Sequence, residues 1–253
     1  MPRTDPAVSI ITPAYNAARF IEETIQSVLS QSYTDWEMII VDDCSRDDTR
    51  VRIETHAQRD ERIRLIAHQT NGGPSAARNT ALKAARGRYI AFLDSDDLWL
   101  PDKLQSQLDF MRDQACAFSF TSFRRISEDG SGCGRLIGVP SRLNYRQLLK
   151  NTAIATSTVI VDSRETGPFE MIRTYYDDYA LWLSLLRRGI VACGFQQDLM
   201  RYRVVQRSVS RHKANSALWV WRTYRDIEHL SLPDATWCFM NYAVRAYLKY
   251  ASF

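Results

Sequence analysis

The chain lacks the features that mark membrane-spanning, secreted and zinc-binding proteins. It has no apolar run of about 18 residues, which a membrane-spanning helix would need. Met1–Ala7 is short, polar and broken by Pro2 and Pro6, which does not fit a signal peptide. The five cysteines are scattered without a C-x-x-C pair, which argues against a disulfide framework and a zinc site. These absences predict a cytoplasmic protein with reduced cysteines.

Common nucleotide-binding and nucleic-acid-binding motifs are also missing. No G-x-G-x-x-G follows the first predicted strand, and no G-x-x-x-x-G-K-[ST] occurs, so the ordinary dinucleotide site and the P-loop are excluded. The net charge of +4 is modest and forms no lysine-rich stripe, so no nucleic-acid partner is expected. This charge would suit a polyphosphate ligand or an anionic lipid surface.

What the chain does contain is a regular alternation of apolar strands and amphipathic helices. Strands are predicted at Val8–Pro13, Trp36–Val41, Ile63–Ala67 and Tyr89–Leu93, with helices at about 18–29, 47–59, 73–85 and 101–114. Four such units in a row predict an α/β fold with a mostly parallel, doubly wound sheet. The length of 253 residues and the 45% hydrophobic content suit one domain of this kind.

The pattern is weaker after residue 115. Strands are predicted at 115–126 and 156–161, with a hairpin tip at 129–134 between them. A helix is predicted from the acidic pair at residues 177 and 178 to Gly189. Two further helices, at 214–230 and 234–250, are expected to be separated by Pro233.

Polar residues follow each of the four strands, at the edge of the sheet where such folds bind ligands. They are Tyr15, Asn16, Asp42, Asp43, Asn71, Asp94, Asp96 and Asp97. The Asp-x-Asp spacing of Asp94 and Asp96 lets two carboxylates face one Mg²⁺ or Mn²⁺ ion, which keeps open positions for substrate phosphates. Taken alone, the acidic run also fits the solvated end of an exposed turn.

Two of the other polar positions have a functional and a structural interpretation. Tyr15 offers a flat face on which a base could stack, or it is a half-buried aromatic residue at the rim. A carboxylate at Asp42 or Asp43 could accept a hydrogen bond from the N–H edge of uracil. Alternatively, Asp43 and Ser45 cap the helix that follows.

The start of the third helix is a further candidate for ligand binding. Pro74 at the first helical position leaves an N-terminus whose N–H groups favour a phosphate. Arg78, one turn later, could add a charged contact to such a ligand, or it could be an ordinary surface arginine.

Four segments in this order resemble the GT-A-fold family 2 glycosyltransferases. They are Val8–Asn16, Ile39–Ser45, Asn71–Asn79 and Phe92–Asp97. The resemblance is dense from about residue 8 to 110. It implies a Rossmann-like nucleotide-binding part with a mixed, mostly parallel sheet flanked by helices. It also implies an inverting enzyme that transfers a sugar from a nucleotide diphosphate, most often UDP.

The family pattern assigns roles to individual residues of this chain. Pro13, Tyr15 and Asp43 would line the base pocket with Asn16 beside them, Asn71 and Arg78 would face the donor, Asp94 and Ser95 would lie near the ribose, and Asp96, with Asp94, would bind Mn²⁺ or Mg²⁺. Cys44 is a departure from the family, because many members have Gly at this position.

The acidic pair Asp177 and Asp178 precedes a Leu-Trp helix, as a Glu-Asp pair does in the family. The resemblance makes Asp178 the general base, with Asp177 in place of the usual Glu. Inversion by single displacement needs one base, because stabilisation of the leaving diphosphate replaces a general acid. The structural alternative is that the pair caps the helix and interacts favourably with its dipole.

The C-terminal region is predicted to carry a lid and a helical tail. The segment 201–212, which includes Arg203, is basic and has hydroxyl side chains between its cations. In related enzymes a loop at this point can fold over the diphosphate, and Arg207, Ser208, Ser210 and His212 are its candidates here; the alternative is that the segment is a solvated basic connector. The aromatic and basic residues of Trp237–Tyr250 suit a membrane interface, packing against the domain, or a homo-oligomer contact.

The predicted organisation is a glycosyltransferase domain at 1–205 and a lid with C-terminal helices at 206–253. Residues 1–115 would bind the nucleotide sugar, and residues 116–205 would face the acceptor. The resemblance implies bacterial surface-polysaccharide assembly on a glycan or lipid-linked sugar acceptor, with possible peripheral contact with the inner face of the membrane. The alternatives are a sugar nucleotidyltransferase, whose Gly-rich arginine loop after the first strand is missing here, and a non-catalytic nucleotide- or glycan-binding module.

Overall fold

The computed structural model describes residues 5–174, 176–205 and 213–251, with side chains omitted at 213–215 and 246–251. Within these ranges ten strands form one sheet. The strands are β1 (Val8–Ala14), β2 (Trp36–Asp42), β3 (Ile63–Ala67), β4 (Tyr89–Phe92), β5 (Leu98–Trp99), β6 (Phe118–Ile126), β7 (Cys133–Ile137), β8 (Arg142–Leu143), β9 (Ile160–Asp162) and β10 (Ala192–Arg203). The sheet order is β3-β2-β1-β4-β9-β6-β10-β5, with β7 on β6 and β8 on β10.

The helices lie between these strands and after the last one. They are α1 (Ile21–Leu29), α2 (Thr49–Ala57), α3 (Pro74–Ala84), α4 (Lys103–Asp113), α5 (Tyr145–Leu148), α6 (Ser163–Thr166), α7 (Asp177–Arg187), α8 (Lys213–Arg222) and α9 (Leu232–Ala251). A 3₁₀ turn covers Thr156–Thr158, and a π-helical turn, Thr223–Ile227, follows α8 directly.

The first half of the sheet is parallel, as the four strand–helix units predict. Strand β1 lies between β2 and β4, and β3 pairs with β2. Alternate residues of β2 enter two different cores: Ile39 and Val41 pack on one side of the sheet, and Met38 and Ile40 on the other. Helices therefore cover both faces, which explains why β2 is apolar along nearly its whole length.

The second half of the sheet mixes strand directions. Strand β9 runs antiparallel between β4 and β6, and β10 runs parallel to β6. The hairpin predicted at 129–134 is confirmed, because β7 returns antiparallel along β6. Strand β10 was not predicted from the sequence, because Gly194, Gln196 and Gln197 interrupt its apolar pattern. Two register shifts against β6 further disturb the period of two.

The strand predicted at 156–161 is wrong over its first half. Thr156–Thr158 forms the 3₁₀ turn, and the strand runs over Ile160–Asp162. The hydroxyl of Thr158 donates to the carbonyl of Ala155. Side-chain hydrogen bonds of this kind compete with strand pairing, which explains why the apolar and β-branched run turns before it extends.

The C-terminal helices pack on the domain through their inner faces. Val220, Tyr224, Ala235 and Cys238 are buried in the core that also contains α7, and the Tyr224 hydroxyl donates to the carbonyl of Leu149. Packing against the domain is therefore confirmed for this face. Among the described helices, none combines the length and apolarity needed to cross a membrane.

Two expectations about the tail need qualification. Pro233 does not separate the two helices, because it lies in the first turn of α9, where a missing N–H is tolerated. The division of the chain at residue 205 stays a prediction.

Candidate active site

Arg78 lies at the centre of the candidate site. It is on α3, and its side chain is only 8% exposed. One terminal nitrogen is 2.6 Å from Asp94 Oδ1, and the other is 3.5 Å from Asp177 Oδ2. Burial lowers the pKa of Arg78, but the negative charge of Asp94, followed by that of Asp177, raises it overall. The surface-arginine alternative is wrong, because this cation connects the acidic run after β4 to the start of α7.

The two carboxylates that begin α7 are used differently. Asp177 is held by the Ser75 hydroxyl at 2.6 Å in addition to Arg78, and its other oxygen accepts the N–H of Asp178. Asp178 accepts the hydroxyl of Thr156 on one oxygen, at 2.6 Å, and the N–H of Tyr179 on the other. Asp177 is thus anchored in the protein interior. Asp178 is therefore bonded to the backbone at the start of α7 through one oxygen, and Thr156 orients its carboxylate through the other.

The environment of Asp178 suits an acceptor of protons. Burial, and then the negative charge of Asp177, raise the pKa of Asp178 to about 6, although Thr156 and Arg78 act in the opposite direction. A base with a pKa near the working pH is ionised when needed and still basic enough to take a proton.

The 3₁₀ turn at Thr156–Thr158 connects this carboxylate to the acidic run. While Thr156 holds Asp178, the Ser157 hydroxyl donates to Asp97 Oδ2 at 2.6 Å and accepts the N–H of Asp94 at 3.0 Å. The roles of Thr156 and Ser157 were not predicted, because a Thr-Ser-Thr run is typical of an ordinary strand. The only sign in the sequence was a pair of hydroxyl side chains between two acidic motifs.

The acidic run itself is less exposed than a free turn would be. Asp94 and Asp96 are half-buried, whereas Asp97 is only 1% exposed, so the alternative of a solvated turn is wrong for Asp97. Burial, and then Asp94, raise the pKa of Asp96 to about 6. Burial, and then Asp96, raise that of Asp97 well above its usual range. Three neighbouring carboxylates that are partly shielded from solvent would be stabilised in their ionised forms by a bound cation.

Arg203, the last residue of β10, holds this acidic run in position through hydrogen bonds. Its backbone N–H donates to Asp97 Oδ1 at 2.9 Å, and its side chain donates to the Asp96 carbonyl at 2.9 Å and to Glu23 at 2.6 Å. The guanidinium is completely buried. From the sequence, Arg203 was expected to lie in the basic connecting segment, because the strand that ends with it was not recognised.

Three of the residues predicted at the base pocket lie at the end of β1 and directly after it. Pro13 is half-buried, and Tyr15 is 47% exposed, with its ring accessible for stacking. Asn16 adopts a left-handed backbone conformation with φ of 48°. Its side-chain oxygen accepts the N–H of Arg46, and its own N–H donates to Ser45. Asn16 thus connects the loop after β1 to the loop after β2.

Asp43 organises the start of α3. Its carboxylate accepts the N–H groups of Gly72 and Gly73 at 2.9 and 2.7 Å, and it lies 2.7 Å from His68 Nδ1. The suggestion that Asp43 caps the helix after it is wrong. That helix is α2, where Asp47 accepts the N–H of Thr49 instead. Asp43 is therefore the anion held at the glycine pair, at the place where a phosphate was expected to bind.

Three further predicted positions have simple structural surroundings. Asn71 donates from its amide to the carbonyl of Asp43 at 3.1 Å, and Ser95 is half-buried, with its carbonyl accepting the Thr24 hydroxyl. Cys44 has φ of 66°, in the left-handed region that favours glycine. This conformation gives the physical reason why Gly suits that position and Cys is a departure.

A divalent ion fits the acidic run, provided that substrate completes its coordination. Within the described residues, no three acidic, histidine or cysteine side chains form a preformed metal cage. Mg²⁺ commonly binds through one or two carboxylates together with substrate phosphates, and Asp94 and Asp96 supply such a pair. Burial and the charge of Asp94 raise the pKa of Asp96 to about 6, and a cation bound there would favour its ionised form.

The comparison with known proteins decides the family. The family model described as glycosyl transferase family 2 matches residues 9–177, which includes the four strand ends, Arg78 and Asp177. The chain belongs to glycosyl transferase family 2. The matched span ends one residue before Asp178.

Relatives with descriptive names match this family 2 chain over nearly its whole length. A putative teichuronic acid biosynthesis glycosyltransferase, TuaG of Bacillus subtilis, is 48% identical over 96% of this chain and 97% of its own. WfgD of Escherichia coli, named UDP-Glc:alpha-D-GlcNAc-diphosphoundecaprenol beta-1,3-glucosyltransferase, is 37% identical over 98% of this chain and 96% of its own.

Solved structures support the GT-A fold of this family 2 chain. TarS 1–349 of S. aureus in complex with UDP-GlcNAc superposes with a TM-score of 0.70 at 18% identity, over 95% of this chain and 72% of that one. The mannosyltransferase PcManGT of Pyrobaculum calidifontis, in complex with GDP-Man and Mn²⁺, gives 0.70 at 19%, over 98% and 71%. At these identities the likeness concerns the fold alone.

The structure brings most of the predicted site residues to one edge of the sheet. Arg78, Asp94, Asp177 and Asp178 are joined by direct contacts, and Asp96 follows in the same run. The predicted lid residues Arg207, Ser208, Ser210 and His212 lie outside the described residues, so their role stays a prediction.

The pH dependence of turnover tests the assignment of Asp178. With saturating Mn²⁺, we expect turnover to rise with pH through about 6, as Asp178 loses its proton. Asp177→Asn removes a negative charge that raises this pKa and leaves Arg78 to act more strongly on Asp178. Both effects of this substitution lower the pKa of Asp178, so the rise of kcat should occur at lower pH than in the unmodified protein. The measurement is kcat against pH for both proteins at saturating donor, and an unshifted rise would contradict the assignment.

Proposed function

We propose that this family 2 chain transfers a sugar from a nucleotide diphosphate, most simply a UDP-sugar, to a hydroxyl of a lipid-linked glycan with inversion at the anomeric carbon. The observation that carries the proposal is the buried bridge from Asp94 through Arg78 to Asp177. It ties the residues proposed to bind the donor diphosphate to the helix that carries the proposed base. One site thereby contains both groups that a single displacement requires.

Asp178 acts as the general base in this mechanism. Thr156 orients its carboxylate, and the raised pKa makes it an effective acceptor near neutral pH. It takes the proton of the acceptor hydroxyl while the oxygen forms its bond to the anomeric carbon and the bond to the diphosphate breaks. Asp177 positions the helix start and the neighbouring N–H rather than touching the reacting atoms.

Asp96 and Asp94 are the residues that would hold Mn²⁺ or Mg²⁺. When bound, such an ion supplies a positive charge that stabilises the departing diphosphate. Ser157 and Arg203 keep the acidic run in place, the first through the N–H of Asp94 and the second through the carbonyl of Asp96. Tyr15 and Pro13 form the face on which the base stacks.

The names of the relatives indicate the class of acceptor. One is named for teichuronic acid biosynthesis and the other for a sugar linked to diphosphoundecaprenol. Both matches cover nearly the full length of this chain, so we extend their class of substrate to it: a lipid-linked intermediate in bacterial surface-polysaccharide assembly. Such an acceptor requires the enzyme to reach a membrane surface, and we place it at the inner face of the cell membrane.

Membership of the glycosyltransferase family disfavours a sugar nucleotidyltransferase. A non-catalytic binding module would leave the Asp178 environment without use, since binding alone does not require a carboxylate with a raised pKa. Slow hydrolysis of a nucleotide sugar in the presence of Mn²⁺ distinguishes an enzyme from such a module.

A thermal-shift screen tests the donor and the metal together. We expect UDP and UDP-sugars with Mn²⁺ to raise the melting temperature by roughly 5 to 10 °C, because a ligand at about 100 times its Kd stabilises the fold by about 2.7 kcal/mol. UDP without metal and Mn²⁺ without nucleotide are the controls. A larger response to GDP or ADP compounds would overturn the choice of a UDP-sugar.

A further inference from the structure

A basic concavity lies away from the acidic site. It has a volume of about 290 Å³ and is lined by four cations on three segments, Arg142, Arg146, Lys150 and Arg245, while its other lining residues are uncharged. Among the salt bridges of the described residues, none involves these four side chains. Most arginines elsewhere in the structure pair with carboxylates, so this concentration of uncompensated positive charge is unusual for the chain.

An exposed apolar stripe adjoins the concavity on α9. Trp237, Met240 and Val244 are 59%, 57% and 60% exposed and recur at helical spacing, so they share one face. Lys150 Nζ lies 5.8 Å from the centre of the Trp237 ring, and Arg245 follows Val244 directly. The opposite side of α9 is already buried through Ala235 and Cys238. The stripe is therefore free surface.

This surface is connected to the helix that carries the proposed base. The hydroxyl of Tyr179, the residue after Asp178, donates to the carbonyl of Leu148 at 3.0 Å. Leu148 ends α5, which carries Arg146 between Arg142 and Lys150. The helix that supplies Arg146 to the concavity is therefore hydrogen-bonded to the start of α7.

We propose that these residues form a docking surface for an anionic phospholipid bilayer. In this arrangement the Trp237–Met240–Val244 stripe enters the boundary between headgroups and acyl chains. The four cations of the concavity contact lipid phosphates. An exposed aromatic and aliphatic stripe flanked by cations is the composition that binds the surface of an anionic membrane.

A second copy of the chain fits this surface less well. A two-fold contact places the same patch on both partners, so it would gather the four cations of both copies in one interface without a neutralising carboxylate among the lining residues. An anionic bilayer neutralises that charge and also accepts the apolar stripe. These residues define the docking surface by themselves, and only its use for a lipid-linked acceptor rests on the proposed function.

Vesicle flotation without donor or acceptor tests the proposal independently of transfer activity. We expect the protein to float with phosphatidylcholine vesicles that contain phosphatidylglycerol and not with pure phosphatidylcholine, and to be released as salt rises. The triple variant Arg142→Gln/Arg146→Gln/Lys150→Gln should lower the partition coefficient about 100-fold, at about fivefold for each cation. Arg59→Gln/Lys83→Gln/Arg164→Gln, which changes three exposed cations elsewhere, should bind as the unmodified protein does.

A second pair of variants tests the apolar stripe. Trp237→Ala should lower partitioning roughly tenfold, whereas Val51→Ser, at an apolar position 61% exposed on α2, should leave it unchanged. Equal binding to neutral vesicles, equal losses in both triple variants, or no binding at low salt would overturn the proposal. So would a concentration-dependent dimer that Trp237→Ala abolishes in a protein that ignores vesicles.

Discussion

Asp178→Asn should lower turnover by about 10²- to 10⁴-fold while the affinity for the donor stays almost unchanged. The loss follows because the amide cannot accept the proton of the acceptor hydroxyl. Asn keeps one oxygen that can accept the Tyr179 N–H, and its NH₂ group can donate to the Thr156 hydroxyl oxygen, so the start of α7 should remain intact. The measurements are kcat for sugar transfer, the Kd of the donor and the melting temperature.

Thr156→Val provides the matched control for this prediction. It removes the hydroxyl that orients Asp178 and leaves the carboxylate itself in place. We therefore expect a smaller loss of turnover, together with a change in the pH profile, because this hydrogen bond lowers the pKa of Asp178. If Asp178→Asn destabilised the protein but turned over normally, the carboxylate would be a helix cap and not the base.

Asp96→Asn should lower metal-dependent turnover by roughly 10²- to 10³-fold or more. A bound divalent ion contributes several kcal/mol of charge stabilisation, and each 1.36 kcal/mol is about tenfold in rate. The fold should survive without metal, because burial and Asp94 already disfavour the ionised form of Asp96. The measurements are turnover with and without EDTA and the thermal shift produced by UDP with Mn²⁺.

Asp102→Asn is the matched control for the metal site. Asp102 is an exposed carboxylate that follows the same run, and its side chain makes no capping hydrogen bond at α4. Its replacement should leave both turnover and the response to Mn²⁺ intact. Full activity of Asp96→Asn, or of the unmodified protein in excess EDTA, would contradict the assignment of Asp96.

Local patterns predicted the parallel half of the fold well. The apolar run of β2 is long enough to identify a buried strand, and β3 was predicted with the bounds that the structure shows. Parallel strands place their carboxyl ends on one edge, so the polar residues after β1, β2 and β4 had to lie near one another. For the candidate site, this geometry is why Tyr15, Asp43 and Asp94 could be grouped from the sequence.

Other elements could not be predicted because long-range contacts stabilise them. Strand β10 contains polar residues and register shifts, and it exists because β6 supplies its hydrogen bonds. Thr156 and Ser157 turn away from the predicted strand to bond Asp178 and Asp97, which lie 22 and 60 residues away in sequence. No local preference encodes such partners.

The sequence by itself determined the α/β class, the four successive strand–helix units of the first half and the acidic and amide residues at the strand ends, because these depend on periodicity and on short motifs. Only the tertiary structure decided how the motifs act together. It buried Arg78 between Asp94 and Asp177, and it turned Arg203 from a connector residue into a support for the acidic run. The physical reason is that burial and charge pairing are properties of residues far apart in the chain, and they are set when the sheet and the helices pack.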